Sequence, residues 1–147
     1  GVAIAAHARA RGLDTAIVGR PMRLWREHMP PGMFLRSGPD WHLDAGGVHT
    51  FEAYLATRGL AAADVDPMPI DLFLGYTDWF IAVTGLPIRD DVVTRLTSEG
   101  RRFTADLASG GCIVADRVVA ATGIAPFQRR PAWAGDLPAA VVTHTCD

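Results

Sequence analysis

"GVAIAAHARARGLDTAIVGR", residues 1–20, opens the chain and decides its fold class. Alanine and other apolar residues on one side, with arginines available to solvent on the other, predict a helix over Val2–Arg11. Gly12 then suits a left-handed C-cap. The apolar run Thr15–Val18, ended by Gly19, predicts a short buried strand. A helix, a short link and a buried strand form the second half of a β-α-β unit, which indicates a parallel sheet in an α/β protein.

This opening unit also fits the second half of a dinucleotide-binding motif. In that motif a glycine loop leads into a helix whose N-terminus faces a pyrophosphate, and an acidic residue about 20 positions later binds a ribose. If Gly1 is the last glycine of such a loop, the acid belongs near position 19, where Gly19 and Arg20 stand instead. The helix and the strand therefore match the motif in length, whereas the ribose-binding acid is missing. An ordinary helix that happens to follow a glycine is the alternative.

Composition argues against several classes of function. The chain has 147 residues, of which 49% are hydrophobic and 20% charged, as expected of one domain with a core. A net charge of −2 with scattered arginines does not support a nucleic-acid groove. No apolar run approaches the roughly 18 residues that a membrane helix needs. Cys112 and Cys146 form no CxxC motif, so we expect a cytoplasmic protein without a disulfide framework.

The sequence also lacks the common signatures of metal sites and of hydrolases. Its five histidines show no zinc-site spacing, and no GxSxG nucleophile motif is present. We therefore expect neither a metal site nor a Ser-His-Asp triad.

The segment 28–91 is expected to be an irregular, mostly helical insertion. Helices are predicted over Thr50–Thr57, with Thr50 as N-cap, and over Ile70–Val83, directly after Pro69. The second helix carries large apolar residues at helical spacing, which favours core packing over a ligand-binding box. These residues are Leu72, Phe73, Tyr76, Trp79 and Phe80.

After this insertion the apolar period changes to that of strands. We predict a β-meander with strands over Val92–Ser98, Phe103–Leu107 and Ile113–Ala121. The sequences "SEGR" and "ASGG" supply the turns between them.

The end of the third predicted strand is a candidate ligand-binding position. Val118–Ala121 is apolar on both faces, as in a strand inside a covered sheet. It runs into Thr122 and Gly123, where glycine lets the backbone turn sharply and approach a ligand, and Pro126 prevents the strand from continuing. A plain strand exit turn is the alternative.

Four segments together resemble a known superfamily. They are "GRPMRLWREHMPPGMFLRS" (19–37), "TFEAYLATRGL" (50–60), "MPIDLFLGYTDWF" (68–80) and "ATGIAPF" (121–127). With the β-α-β start and the meander, they resemble FAD-dependent oxidoreductases that have two dinucleotide-binding domains. More narrowly, the chain is similar to the flavoprotein monooxygenase-like branch, near the N-hydroxylating and Baeyer–Villiger-type enzymes. The resemblance implies α/β architecture: an FAD-binding Rossmann-like parallel sheet with a β-meander and a mostly helical insertion.

The resemblance also implies a set of cofactor-binding positions. Gly1 would close the pyrophosphate loop, and Gly19 and Arg20 would lie beside the adenosine ribose, where Arg20 also suits the 2′-phosphate of NADP. The backbone of Val93 would face the adenine, and Thr122 and Gly123 would pass close to the FAD. The approach to the isoalloxazine ring would be lined by Trp25, Met33 and Arg36. Packing is the alternative role of Trp25 and Met33, and simple solvation that of Arg36.

As a cofactor set, the resemblance implies tightly bound FAD and NADPH as hydride donor, the latter held by a second domain outside this chain. Oxygen would add to the reduced flavin as a C4a-(hydro)peroxide that oxygenates a small-molecule substrate. Because the flavin supplies this chemistry, no catalytic side chain is predicted.

The expected organisation is one partial FAD-binding domain, truncated at both ends. Residues 1–27 would be the remainder of the β-α-β unit, 28–91 the insertion, 92–125 the meander with the "ATG" strand, and 126–147 a linker towards the NAD(P)H domain. Such a fragment is expected to be inactive alone and to bind FAD poorly.

Two other functions stay open at this point. A one-domain NAD(P)-dependent reductase or dehydrogenase would need a proton donor such as Tyr-x-x-x-Lys, and the sequence contains no lysine. A nucleotide-binding module without catalysis is the non-enzymatic alternative.

Overall fold

The computed structural model describes residues 1–138, 140–142 and 144, and it has a mixed α/β architecture. The α-helices of this part are α1 (Val2–Ala10), α2 (Arg23–Glu27), α3 (Phe51–Thr57) and α4 (Ile70–Thr84). The strands are β1 (Ile17–Val18), β2 (Phe34–Leu35), β3 (Met68–Pro69), β4 (Ile88–Arg89), β5 (Val93–Glu99), β6 (Arg102–Leu107) and β7 (Cys112–Ala115). Short 3-10 helices span Ala62–Val65, Ala125–Phe127 and Ala132–Asp136. The predicted α/β class is confirmed, and Cys146 lies outside the described residues.

Two helix–turn–strand units are joined by hydrogen bonds between their strands. β1 follows α1, β4 follows α4, and the two strands pair in parallel, with Ile17 opposite Ile88 and Val18 opposite Arg89. Backbone hydrogen bonds from Ile17 N to the Pro87 carbonyl (3.0 Å) and from Gly19 N to the Arg89 carbonyl (2.9 Å) complete this ladder. Within the described residues, the parallel sheet thus has two strands, and the residues that pair lie about 70 positions apart in the sequence.

The three longer helices lie close to their predicted bounds, and the predicted N-cap of α3 is confirmed. The Thr50 hydroxyl accepts a hydrogen bond from Ala53 N at 3.1 Å, so Thr50 is the N-cap of α3. Gly85 closes α4 in the left-handed conformation, with φ of 59°. α1 runs over Val2–Ala10, one residue shorter than predicted.

The core lies between α3 and α4, and the aromatic stripe of α4 forms its centre. Tyr76 and Phe80 are fully buried, together with Phe51 of α3. The rings of Phe51 and Tyr76 meet edge to face with centroids 5.1 Å apart. Partly buried side chains of the same stripe pack against this cluster: Leu72, Phe73 and Trp79. The core interpretation of the stripe is confirmed.

The meander is present, but its third strand is shorter than predicted. β5, β6 and β7 pair in antiparallel order, and β7 ends at Ala115, which faces Phe103 near the start of β6. Asp116 falls opposite Arg102, the first residue of β6, and beyond it the facing segment is the turn that joins β5 to β6, so β6 offers no further strand residues for pairing. The prediction that the third strand continues to Ala121 is therefore wrong: Val118 and Val119 are 42% and 59% exposed and lie outside any strand.

None of the helices within the described ranges combines the length and the apolar character that a membrane crossing requires.

Candidate functional site

The candidate site lies at the carboxyl edge of the β1–β4 pair. Because parallel strands end at the same edge, Gly19, which follows β1, and Asp90, which follows β4, lie level with each other. The Arg20 Nε donates to both carboxylate oxygens of Asp90, at 3.0 and 3.3 Å. In open α/β sheets this edge is where ligands bind.

Gly19 has the backbone conformation that makes this edge possible. Its φ is +116°, a region that side chains with a Cβ rarely adopt, and a Cβ built there would meet no atom within 4 Å. The backbone therefore turns at Gly19, which places no side chain of its own at the strand end.

Arg20 lies between two carboxylates. Besides Asp90, its Nη1 lies 3.9 Å from the Glu27 Oε1, and Glu27 is itself held by Arg23, whose Nε lies 2.6 Å from Oε2. The hydrogen bond to Asp90 raises the pKa of Arg20 above its ordinary value, and the hydrogen bond from Arg23 lowers the pKa of Glu27. The Arg20 and Asp90 side chains remain 62% and 68% exposed, so a ligand can reach both.

Arg20 and Asp90 border an open cavity of about 390 Å³. Ile81 and Ile88 provide its apolar lining, and a second ion pair, between the Arg26 Nη2 and the Asp78 Oδ1, lies on its border. The remaining lining residues are Gly19, Arg20, Pro21 and Asp90. An apolar surface bordered by carboxylates and guanidinium groups suits a small ligand that has both an apolar part and hydroxyl groups.

A second cavity, of about 630 Å³, lies between α1 and the loop 44–49. Asp44 organises this loop: its carboxylate accepts backbone hydrogen bonds from Gly46 (2.8 Å), Val48 (3.1 Å) and His49 (2.7 Å). These bonds, the one from His49 first, lower the pKa of Asp44. Because its carboxylate lone pairs are engaged by its own loop, Asp44 has a structural role here.

The structure brings Gly1 close to the segment that contains Thr122 and Gly123. A Cβ at Gly1 would lie 3.6 Å from the Ala121 Cβ, so this segment passes the N-terminus of α1. Gly123 has φ of +71°, which agrees with the predicted sharp turn. Gly1 and the "ATG" segment, far apart in the sequence, are therefore neighbours in the structure.

The residues expected near the flavin ring lie on different elements. Trp25 of α2 packs edge to face on Phe73 of α4, with ring centroids 5.4 Å apart. This contact agrees with packing, the alternative role given for Trp25 above. Met33 uses its carbonyl to accept a hydrogen bond from Ile70 N at 2.9 Å. Arg36 directly follows β2 and is exposed. Val93 begins β5, opposite Leu107, and is also exposed.

Asp90 is the functional candidate that the sequence reasoning missed. It lies in the segment predicted as a mostly helical insertion. The only signal for it is "PIRDD" (87–91), in which two acids follow a very short potential strand. Its neighbour Asp91 turns the other way, towards Ser109, whose backbone N donates to the Asp91 Oδ1 at 3.2 Å.

Within the described ranges, no three His, Cys, Asp or Glu side chains are placed to share a metal ion. No protein-family model, curated protein or solved structure matches this chain.

Proposed function

We propose that this chain is part of an FAD-dependent oxidoreductase that uses NADPH and oxygenates a small molecule. The observation that carries the proposal is the carboxyl edge of β1 and β4. There a helix–turn–strand unit and its parallel neighbour place Gly19, Arg20 and Asp90 around one cavity. In doubly wound α/β folds, dinucleotides bind outside the carboxyl ends of the parallel strands, where an acidic residue contacts the ribose or an arginine its 2′-phosphate.

The proposal also includes a Rossmann-like fold. The β1–β4 pair would be part of a Rossmann-like sheet, with the β5–β7 meander following β4 directly along the chain. The neighbourhood of Gly1 and Ala121 supports it, because it places a turn with a left-handed glycine beside the N-terminus of α1. α1 has no acidic residue in its first turn that would repel a pyrophosphate.

The residues present fit an adenine dinucleotide. Gly1 offers a helix start without a side chain, and Arg20 and Asp90 offer a donor and an acceptor at the strand ends. A bound flavin would supply the redox chemistry, as cofactors of this kind do. The chain's own residues would bind the nucleotide portion and orient the cofactor.

The test is flavin binding and reduction in the protein expressed with its natural termini. We expect FAD to co-purify, and its visible absorbance to bleach when NADPH is added without oxygen. After removal of the flavin, FAD should restore the spectrum and FMN should not, since FMN lacks the adenosine that the strand edge would hold. Binding of adenine nucleotides without flavin bleaching would favour a non-catalytic module, and failure to bind FAD would overturn the proposal.

A further inference from the structure

We propose that Asp90, which follows the neighbouring strand β4, binds the ribose hydroxyls of the adenosine. Arg20 is paired with the carboxylates of Asp90 and Glu27, and these carboxylates disfavour a 2′-phosphate at the same place. The inference rests on the proposed function and sharpens it. It assigns the edge to adenosine nucleotides with free ribose hydroxyls, such as the adenosine half of FAD. Arg20 is then a positioning residue for Asp90 instead of a phosphate ligand.

The strand register supports the assignment of Asp90. Val18 lies opposite Arg89, so the next residue of each strand, Gly19 and Asp90, lies at the same level of the edge. The ribose-binding acid expected at the end of β1 is missing, and Asp90 provides an acid at the end of the adjacent strand β4. Neighbouring strands are about 4.8 Å apart. With φ of +116° and no side chain, Gly19 leaves the space in front of β1 open to the ligand.

The local charges support the second part of the proposal. Arg20 contacts Asp90 at 3.0 Å and Glu27 at 3.9 Å, and Arg23 partly offsets the charge of Glu27. The other pair on the cavity border, Arg26 with Asp78, also brings one charge of each sign. A 2′-phosphate would add a charge of about −1.5 to −2 beside the carboxylates of Asp90 and Glu27, which repel it.

Ribose hydroxyls meet no such obstacle. A hydroxyl donates to a carboxylate oxygen, and Asp90 retains acceptor sites beyond the two used by Arg20, because an ionised carboxylate has about four lone-pair sites. The Arg20 guanidinium then holds the carboxylate in place through its Nε. A hydrogen bond to a charged group of this kind contributes about tenfold or more in affinity.

The test compares three nucleotides by calorimetry on the protein with its natural termini: ADP, 2′-deoxy-ADP and adenosine 2′,5′-bisphosphate. We expect the wild type to bind ADP about tenfold more tightly than either analogue. In Asp90→Asn the preference over 2′-deoxy-ADP should fall to within about threefold. The same variant should bind the bisphosphate more tightly than the wild type does, since Arg20 is released.

Two further variants separate the proposal from general charge effects. Asp116→Asn removes the same charge from an exposed residue of the meander, paired with Arg102, and should leave all three affinities unchanged. Arg20→Ala should keep the preference for ADP over the bisphosphate. Equal binding of ADP and the bisphosphate to the wild type would overturn this inference alone, provided that FAD is still bound. Absence of any adenine nucleotide or FAD binding would overturn the proposed function with it.

Discussion

Asp44 shows how one carboxylate can organise a whole loop. The sequence "LDAGGVH" (43–49) has too few apolar residues to pack by itself, and the loop instead closes on the Asp44 oxygens. The buried Tyr76 hydroxyl supports the same loop, because it accepts a hydrogen bond from Leu43 N and donates one to the His49 carbonyl, both at 2.9 Å. An aspartate before two glycines indicates a turn, but it does not reveal this tyrosine, which lies 33 positions from Leu43.

We expect Asp44→Asn to lower the free energy of unfolding by about 1–3 kcal/mol, because the side chain is only 17% exposed and the amide replaces two charged acceptors by one neutral acceptor. Folding lowers the pKa of Asp44 from its ordinary value of 3.8. The stabilisation of the fold by the ionised Asp44 is therefore complete above that value and is lost as the pH falls through the pKa of the folded state. Urea denaturation at several pH values checks both effects. Equal loss of stability on acidification in the wild type and the variant would contradict this role.

The contact between α3 and α4 depends on a glycine inside a helix. A Cβ at Gly75 would lie 2.5 Å from the Tyr54 Oη, so glycine allows the tyrosine of α3 to reach the α4 backbone. The helical period of α3 and α4 was readable in the sequence because it depends on neighbours three and four positions apart. The close approach at Gly75 was not readable, because it depends on how two helices meet.

We therefore expect Gly75→Ala to destabilise the protein by about 1–3 kcal/mol, although alanine favours helices by about 1 kcal/mol over glycine. The measurement is chemical denaturation, repeated in a Tyr54→Phe background. There the nearest ring atom is Cζ, at an ordinary 3.5 Å, so alanine should be tolerated or should stabilise α4. The same cost in both backgrounds would show that the tyrosine hydroxyl is not the cause.

The meander is tied to the parallel pair by a small polar cluster after β4. Asp91, only 5% exposed, accepts hydrogen bonds from the Ser109 hydroxyl and from the backbone N–H of Ser109, which lies in the turn between β6 and β7. The Val92 carbonyl accepts a further bond from Ala108 N at 2.9 Å. The two adjacent acids thus have different roles: Asp90 lines the cavity, and Asp91 connects the parallel pair to the meander.

Ser109→Ala should raise the pKa of Asp91 towards its ordinary value, because the serine hydroxyl is the main cause of its lowering. An NMR titration of the aspartate carboxyl carbons measures this change. Faster hydrogen exchange at the amides of β5 should accompany it. Ser98→Ala, within β5 itself, is the matched control and should leave the Asp91 titration unchanged.

The sequence by itself determined the elements whose signals are local. Periodicity and turn residues predicted α1, α3, α4, β5 and β6 close to their observed bounds, and the aromatic stripe of α4 as core. Only the tertiary structure decided which strands pair, and with that the candidate site. β7 ends at Ala115 because its partner strand ends, although the apolar sequence continues to Ala121. Arg20 meets Asp90 because two strands about 70 residues apart end at one edge, and a local pattern carries no record of a hydrogen-bond partner so distant in the chain.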